Sequence, residues 1–328
     1  LVKDRGGFLC PLRTFEEIVM NNVRFKDLLK KLSECEMKTA SVAVAQDEHV
    51  LRAVKAAKER GIANSILVGD EAEIRKIAAE IGMDLTGYEI INVVDKAEAA
   101  LKAVSLVHEG KANMYMKGCL ETKDFLKSVL DKEVGLRTGK PLSHVCVFDI
   151  EGFNRLMFFT DVAFMTYPTL EDKVAIINNT VEVANACGIT NPKVAPLAAV
   201  EVVNPKMPVC VEAAELTRMN EAGEIKGCIV DGPLSLDLAI DPEAAKHKGC
   251  TDRKIQGDAD ILLFPDIHAG NLVYKILVRT AKLVNGNIIT GTKAPVILTS
   301  RSDDFETKVN SLALGAIVAE ELEKKNRQ

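Results

Sequence analysis

No C-x-x-C pair occurs among the eight cysteines of this 328-residue chain, and no Cys/His cluster has zinc spacing. The cysteines, at 10, 35, 119, 146, 187, 210, 228 and 250, are scattered as reduced core residues of a cytosolic protein would be. A cytoplasmic location is therefore expected. No apolar stretch reaches the length of about 18 residues that a membrane span needs. No long basic run appears and the net charge is −5, so nucleic acid is not an expected partner. The first 19 residues mix apolar and charged side chains, unlike a signal peptide. Patterned sequence starts near Met20, and residues 1–19 are expected to be an extension outside the natural domain. Several site motifs are also missing. No G-x-G-x-x-G follows a strand, which disfavours a Rossmann dehydrogenase, and neither H-E-x-x-H nor G-x-S-x-G occurs. Gly135-Leu-Arg-Thr-Gly139-Lys140 approximates a phosphate-binding loop but is one residue short and runs into Pro141.

What is present is an alternation of short apolar runs and amphipathic segments. Runs fall at Ser41–Ala45, Ile66–Val68, Ile90–Val94, Ala112–Met116, Val145–Ile150, Leu156–Thr160, Val194–Val203, Cys228–Asp231, Ile261–Phe264 and Val296–Thr299. Between them, Val50, Val54 and Ala57 share one helical face, and Ile74, Ile77, Ala78 and Ile81 share another. Asp95-x-x-Glu98 and Thr169-x-x-Asp172 are helix-capping patterns; Gly61, Gly82 and Gly188 sit at helix ends. Such alternation predicts parallel, doubly wound α/β sheets. One domain per roughly 150 residues suggests two domains. The runs at 145–150 and 156–160 are separated only by Glu151-Gly-Phe-Asn-Arg155, which predicts a hairpin and a domain change near residue 142.

Ligands of open α/β sheets bind beyond the carboxyl ends of strands, so the residues ending each run are informative. They are Lys117-Gly118, Thr160-Asp161, Asp231-Gly232-Pro233, Pro265-Asp266 and Ser300-Arg301. Each has a plain alternative: an aspartate after a strand is more often a helix cap than a catalyst, and Lys-Gly is more often a turn. As a set they converge on a sheet edge. Arg301 could hold an anion bidentately and Lys117 as a point charge, with Gly118 and Gly270 letting backbone N–H groups approach it. His144 and His268, the only histidines near these loops, are expected to be structural or loop hydrogen-bond partners.

Three longer segments carry a family resemblance. Gly227-Cys-Ile-Val-Asp-Gly-Pro-Leu234 with Asp237, Gly257-Asp-Ala-Asp-Ile-Leu-Leu-Phe-Pro-Asp-Ile-His-Ala-Gly-Asn-Leu-Val-Tyr-Lys275, and Pro295-Val-Ile-Leu-Thr-Ser-Arg301 resemble signatures of the phosphate acetyltransferase/butyryltransferase family. Gly188–Ala195 matches a further segment, and the likeness runs from about residue 38 to 320. The Ser-Arg-Ser-Asp-Asp run and the short chain are more similar to the butyryl than to the acetyl branch. The resemblance implies two α/β/α domains around a cleft, as in isocitrate and isopropylmalate dehydrogenases. Residues 20–141 plus 292–328 would form the first domain and 142–291 the second. It also implies a homodimer or larger homo-oligomer.

The implied reaction is acyl-CoA plus phosphate giving acyl phosphate plus CoA, with coenzyme A as substrate and no bound cofactor or metal. By matching positions, Ser300 would hydrogen-bond the reacting carbonyl or thiol and Arg301 would hold the phosphate. Lys117, Gly118, Thr122, Lys127, Asp231, Asp266, Gly270, Asn271 and Lys275 would line the phosphate and CoA site. Lys127 stands where acetyl enzymes carry an arginine, and Thr307 where they place a general-base aspartate. Asp303 or Asp304 could take that role, or another group could take the proton. The alternatives are an acetyl-transferring enzyme and a metal- and NAD(P)-dependent decarboxylating hydroxyacid dehydrogenase using Asp231, Asp237 and Asp241. A catalytically inactive CoA-binding module is the remaining one.

Overall fold

The computed structural model describes residues 23–299 and 303–327. The expected extension at 1–19 and the Ser300-Arg301 pair lie outside the described residues.

The alternation reads out as expected over most of the chain. Helix α1 (Phe25–Ser33) precedes β1 (Lys38–Ala43), α2 (Glu48–Glu59), β2 (Ala63–Gly69), α3 (Glu71–Glu80), β3 (Glu89–Asn92), α4 (Lys96–His108), β4 (Met114–Lys117) and α5 (Thr122–Val129). The hairpin β5 (Ser143–Ile150) and β6 (Leu156–Thr160) follows, then α6 (Leu170–Ala186), β7 (Lys193–Pro196), α7 (Pro208–Glu221) and β8 (Ile229–Val230). Two short helices, α8 (Leu236–Ile240) and α9 (Pro242–His247), lead to β9 (Ile261–Leu263), α10 (Ile267–Thr280), β10 (Leu283–Thr290), β11 (Val296–Ile297) and α11 (Phe305–Arg327). The capping patterns function as written: Asp95 accepts from the Ala97 and Glu98 amides, and Thr169 and Asp172 form a reciprocal box. The run at 194–203 is corrected: its strand ends at Pro196, and Val202 and Val203 are exposed.

All strands join one 11-stranded sheet of order β3-β2-β1-β4-β11-β10-β5-β6-β9-β7-β8. Its pairings are parallel except β10 with β11 and β5, and β5 with β6. The sequence reading omitted β10 altogether, yet this eight-residue strand lies at the middle of the sheet. Strands from 38–117 and 296–297 fill one half, and strands from 143–290 fill the other.

The two faces are covered differently, and this positions the site. On one face a continuous apolar core runs along the sheet, with side chains from α1, α2, α3, α6 and α11. On the other face the cover splits into two clusters. One, under α4 and α5, includes Tyr115, Phe125, Ile289 and Val296. The other, under α8, α9 and α10, includes Phe148, Phe159, Phe264 and Tyr274. Between them lie β10 and β5, whose residues on that face are polar at the centre. His144 pairs Ile289, Cys146 pairs Asn287 and Phe148 pairs Asn285 in the antiparallel register, so each pair shares a face.

Candidate functional site

The polar stripe is buried: His144, Asn285 and Asn287 are each at most 5% exposed. Gly286 between the asparagines faces the opposite side, where a Cβ would come within 2.8 Å of the Asn310 carbonyl in α11. The helix therefore packs directly on the strand there, and both asparagines turn toward the gap. Asn285 Nδ2 and Asn287 Oδ1 have no hydrogen-bond partner among the described residues. Leaving such groups unpaired costs roughly 1–3 kcal/mol each unless something else satisfies them.

Tyr274 of α10 comes down on this stripe. Its hydroxyl is 3.2 Å from Asp303 Oδ1 and 3.4 Å from Asn287 Nδ2, and its ring tilts against Phe148 at 5.9 Å. Burial pushes the Tyr274 hydroxyl well up from its ordinary value, so it remains a proton donor. Burial also pushes the Cys146 thiol well up and holds the His144 imidazole below its ordinary value, against Asp161 and Asp303, which favour its charged form. Cys146 is accordingly a thiol rather than a nucleophilic thiolate. Lys308 of α11 donates to the Asp303 carbonyl at 2.8 Å, and its burial lowers its ammonium pKa.

Asp303 and Asp304 are neighbours with different employment. Asp303 faces Tyr274, whereas Asp304 is exposed and accepts the Thr307 amide at 2.7 Å at the start of α11. Thr307 is buried and donates its hydroxyl to Asn285 at 3.0 Å.

The other expected site residues fall into two groups. Lys117 ends β4 on the same side as Tyr115, facing the split cover, and is 8% exposed. Gly118 is required by sterics, since a Cβ would lie 2.3 Å from the Val44 carbonyl. Gly270 sits against the loop after β6, a Cβ being 2.6 Å from the Asp161 carbonyl, and Asn271 donates to the Val162 carbonyl at 3.0 Å. Asp266 caps α10 through the His268 and Ala269 amides. Lys275 points into a cavity of about 940 Å3 between α1, the C-terminal half of α10 and the start of α11, together with Arg279, Asn285 and Asp303. Thr122 and Lys127, by contrast, lie on the exposed side of α5, where Lys127 pairs with Asp124 at 3.3 Å.

Asp231 is elsewhere. It accepts the Ile255 amide at 3.0 Å and pairs with Arg253 at 3.2 Å, pinning the loop before β9. Asp237 pairs with Ser235 and Lys248, and Asp241 caps α9. The three aspartates of the dehydrogenase alternative are thus each engaged separately, and no group of three or more metal-ligating side chains occurs among the described residues. His268 hydrogen-bonds Tyr167 at 2.8 Å on the surface. Residues that sequence reasoning missed are Tyr274, Asn285, Asn287 and Lys308. Their signal was weak: the tyrosine sat inside a quoted signature, and the asparagines sat in a strand that resembles a turn.

A large, mostly parallel sheet covered by helices on both faces defines an α/β protein. A family model described as phosphate acetyl/butaryl transferase matches residues 24–99 and 93–316. The chain belongs to that family. It is 58% identical over 295 residues to a phosphate butyryltransferase of Clostridium acetobutylicum, covering 90% of this chain and 98% of that one. Among solved structures it resembles a branched-chain phosphotransacylase from Enterococcus faecalis V583, with TM-score 0.76 and 37% identity over 86% of this chain and 99% of that one. A 4-hydroxythreonine-4-phosphate dehydrogenase from Burkholderia phymatum shares the fold alone, with TM-score 0.52 and 12% identity over 87% of this chain and 99% of that one. A fold shared with a dehydrogenase is consistent with the dehydrogenase-like sheet expected from the sequence, and no dehydrogenase chemistry follows from it.

Proposed function

We propose that this protein transfers an acyl group between inorganic phosphate and coenzyme A, and that the acyl group is butyryl. The observation that carries this reading is the match to a phosphate butyryltransferase over nearly its whole length. The site residues suit a direct transfer within a ternary complex, where orientation supplies much of the rate. The CoA thiol gives its proton to Asp303 as sulfur attacks the acyl phosphate carbonyl. The C–S bond forms, the carbonyl reforms, and the C–O bond to phosphate breaks with its electron pair leaving on phosphate. Arg301 and Lys117 hold the phosphate, and Ser300 hydrogen-bonds the reacting carbonyl. Gly118, Gly270 and Asn271 shape the same cleft. The buried asparagine atoms without partners among the described residues give this cleft polar groups for a substrate to satisfy.

Coenzyme A carries phosphates, and Lys275 and Arg279, one helical turn apart on the cavity wall, suit them. The chain divides for this purpose into residues 20–141 plus 292–328 and residues 142–291, with the cleft between. It functions as a homo-oligomer in the cytoplasm, and no helix among the described residues is long and apolar enough to cross a membrane.

The test is release of free CoA from a panel of acyl-CoA thioesters in the presence of phosphate. Butyryl-CoA is expected to give the highest kcat/KM. No phosphate-dependent release from any thioester would overturn the reading. Ser300→Ala and Arg301→Gln should each lower kcat by roughly 10²-fold or more.

A further inference from the structure

We propose that His144 is a catalytic residue, whose Nε2–H donates to the acyl oxygen as negative charge gathers on it during attack by the CoA thiol; the proposal rests on the acyl-transfer reading above. The sheet register places the ring. Tyr115, Val296, Ile289 and His144 pair in turn across β4, β11, β10 and β5, so their side chains form one row on one face. Lys117, two residues past Tyr115, and the pair Asn287 and Cys146 stand on that same face, one step along the strands. Asn287, whose Oδ1 has no partner among the described residues, therefore stands between the strand of Lys117 and the strand of His144. Those two strands are three spacings apart, about 14 Å, a span that a lysine stem and an acyl phosphate fill together. A substrate laid across β10 would meet the cation from one side and the imidazole from the other.

The surroundings hold the ring and set its tautomer. The His144 amide donates to Asp161 Oδ2 at 2.9 Å, and its carbonyl accepts the Thr160 hydroxyl at 3.0 Å, so its backbone is tied to the end of β6. Cys146 Sγ lies 3.6 Å from Nδ1. A thiol sulfur is a weak acceptor, whereas an imidazole lone pair accepts well, so the contact is S–H to Nδ1 and the ring proton sits on Nε2. Nε2 meets no hydrogen-bond partner among the described residues. Burial keeps the thiol protonated and the imidazole neutral, against Asp161 after β6 and Asp303 before α11, the charged groups that act on it. A neutral donor suits the task. An imidazolium would grip an anionic substrate in its ground state, whereas an uncharged N–H gains most when the carbonyl becomes an oxyanion. No proton leaves His144 in the step; its hydrogen bond strengthens as the C–S bond forms and relaxes as phosphate departs.

The experiment compares His144→Gln, which keeps an N–H donor, with His144→Met, which keeps only the bulk, in the full-length protein. His144→Met should lower kcat by roughly 10²-fold, with KM for phosphate and CoA within about threefold. His144→Gln should recover about tenfold of that loss. In the wild type, nitrogen–proton correlation across the imidazole by NMR should show a proton on Nε2 and none on Nδ1 at about pH 7. Wild-type kcat in His144→Met would overturn the proposal. So would equal losses in the two variants, which would report damage to the fold, and a loss confined to KM for phosphate, which would place the contact on the wrong group. A proton on Nδ1 at that pH would overturn it without any variant. A wild type that releases no CoA in response to phosphate, yet shows the Nε2–H tautomer, would instead remove the acyl-transfer reading on which the proposal stands.

Discussion

Asp231 directly follows β8, and Asp303 precedes α11 on the segment after β11. Asp231 is 4% exposed, and its two oxygens go to the Ile255 amide and the Arg253 guanidinium. Asp303 meets a tyrosine hydroxyl on the wall of a cavity of about 940 Å3. The first carboxylate binds protein to protein. The second meets a tyrosine of another helix on the wall of a cavity. A strand-end aspartate is thus diagnostic only when its partners are known, because backbone N–H groups and a structural arginine consume the same lone pairs a substrate would use. Asp161 belongs with Asp231: it is 2% exposed and accepts the amides of His144, Ala163 and Phe164.

The contrast can be broken by exchanging each carboxylate for its amide. Asp303→Asn should lower kcat by roughly 10²–10⁴-fold, the usual range for losing a general base, while the urea midpoint hardly moves. Asp231→Asn should do the reverse. Removing one partner of a buried ion pair costs about 3 kcal/mol, read as a lower urea midpoint, and folded enzyme should keep kcat within about threefold. If Asp231→Asn abolished turnover without loss of stability, the division between the two aspartates would collapse.

His144 sharpens the comparison from the side of pH. It is buried beside the site, and its imidazole pKa is held below the ordinary 6.5 by burial, Asp161 and Asp303 opposing. The unfolded chain therefore binds a proton below about pH 6.5 that the folded protein does not. Stability rises with pH in that window, so it is fully present above 6.5 and is lost as pH falls toward the folded value. One such group contributes up to about 1.4 kcal/mol per pH unit. Urea unfolding of wild type and His144→Asn between pH 5 and 7 checks it: the difference in slope should have this sign. Equal slopes would mean that His144 titrates alike in both states.

Much of this architecture was legible in the sequence, and the losses have a physical pattern. Runs covered on both faces, such as Ile261–Leu263, announced themselves because every residue is apolar. β10 did not, because Asn285-Gly286-Asn287 has the composition of a turn. Those residues serve the site and the close approach of α11: two polar side chains for the gap, and a glycine where a Cβ would strike Asn310. The strand that joins the sheet's two halves was invisible for the same reason that it matters. The polar strand ends were legible as a set, while their division into site and scaffold was not. That division depends on partners distant in sequence: Arg253 for Asp231, 22 residues away, and Tyr274 for Asp303, 29 residues away. The run ending at Val203 was over-read for a different reason, since apolar residues on an exposed loop carry no periodic signal.

The smallest expected effect separates the two adjacent aspartates that the sequence left as alternatives. Asp304 accepts the Thr307 amide at 2.7 Å, three residues on, which is the geometry of a helix N-cap. Its replacement by alanine should cost about 1 kcal/mol of stability, with kcat within about threefold of wild type. The carboxylate also lies near the positive end of the α11 dipole, so part of that cost should fade at high salt. Measuring urea midpoints of Asp304→Ala at low and high ionic strength tests both points. A loss of turnover as large as that of Asp303→Asn would instead show the two carboxylates acting as a pair. The cleft would then extend past Asp303 to the first turn of α11.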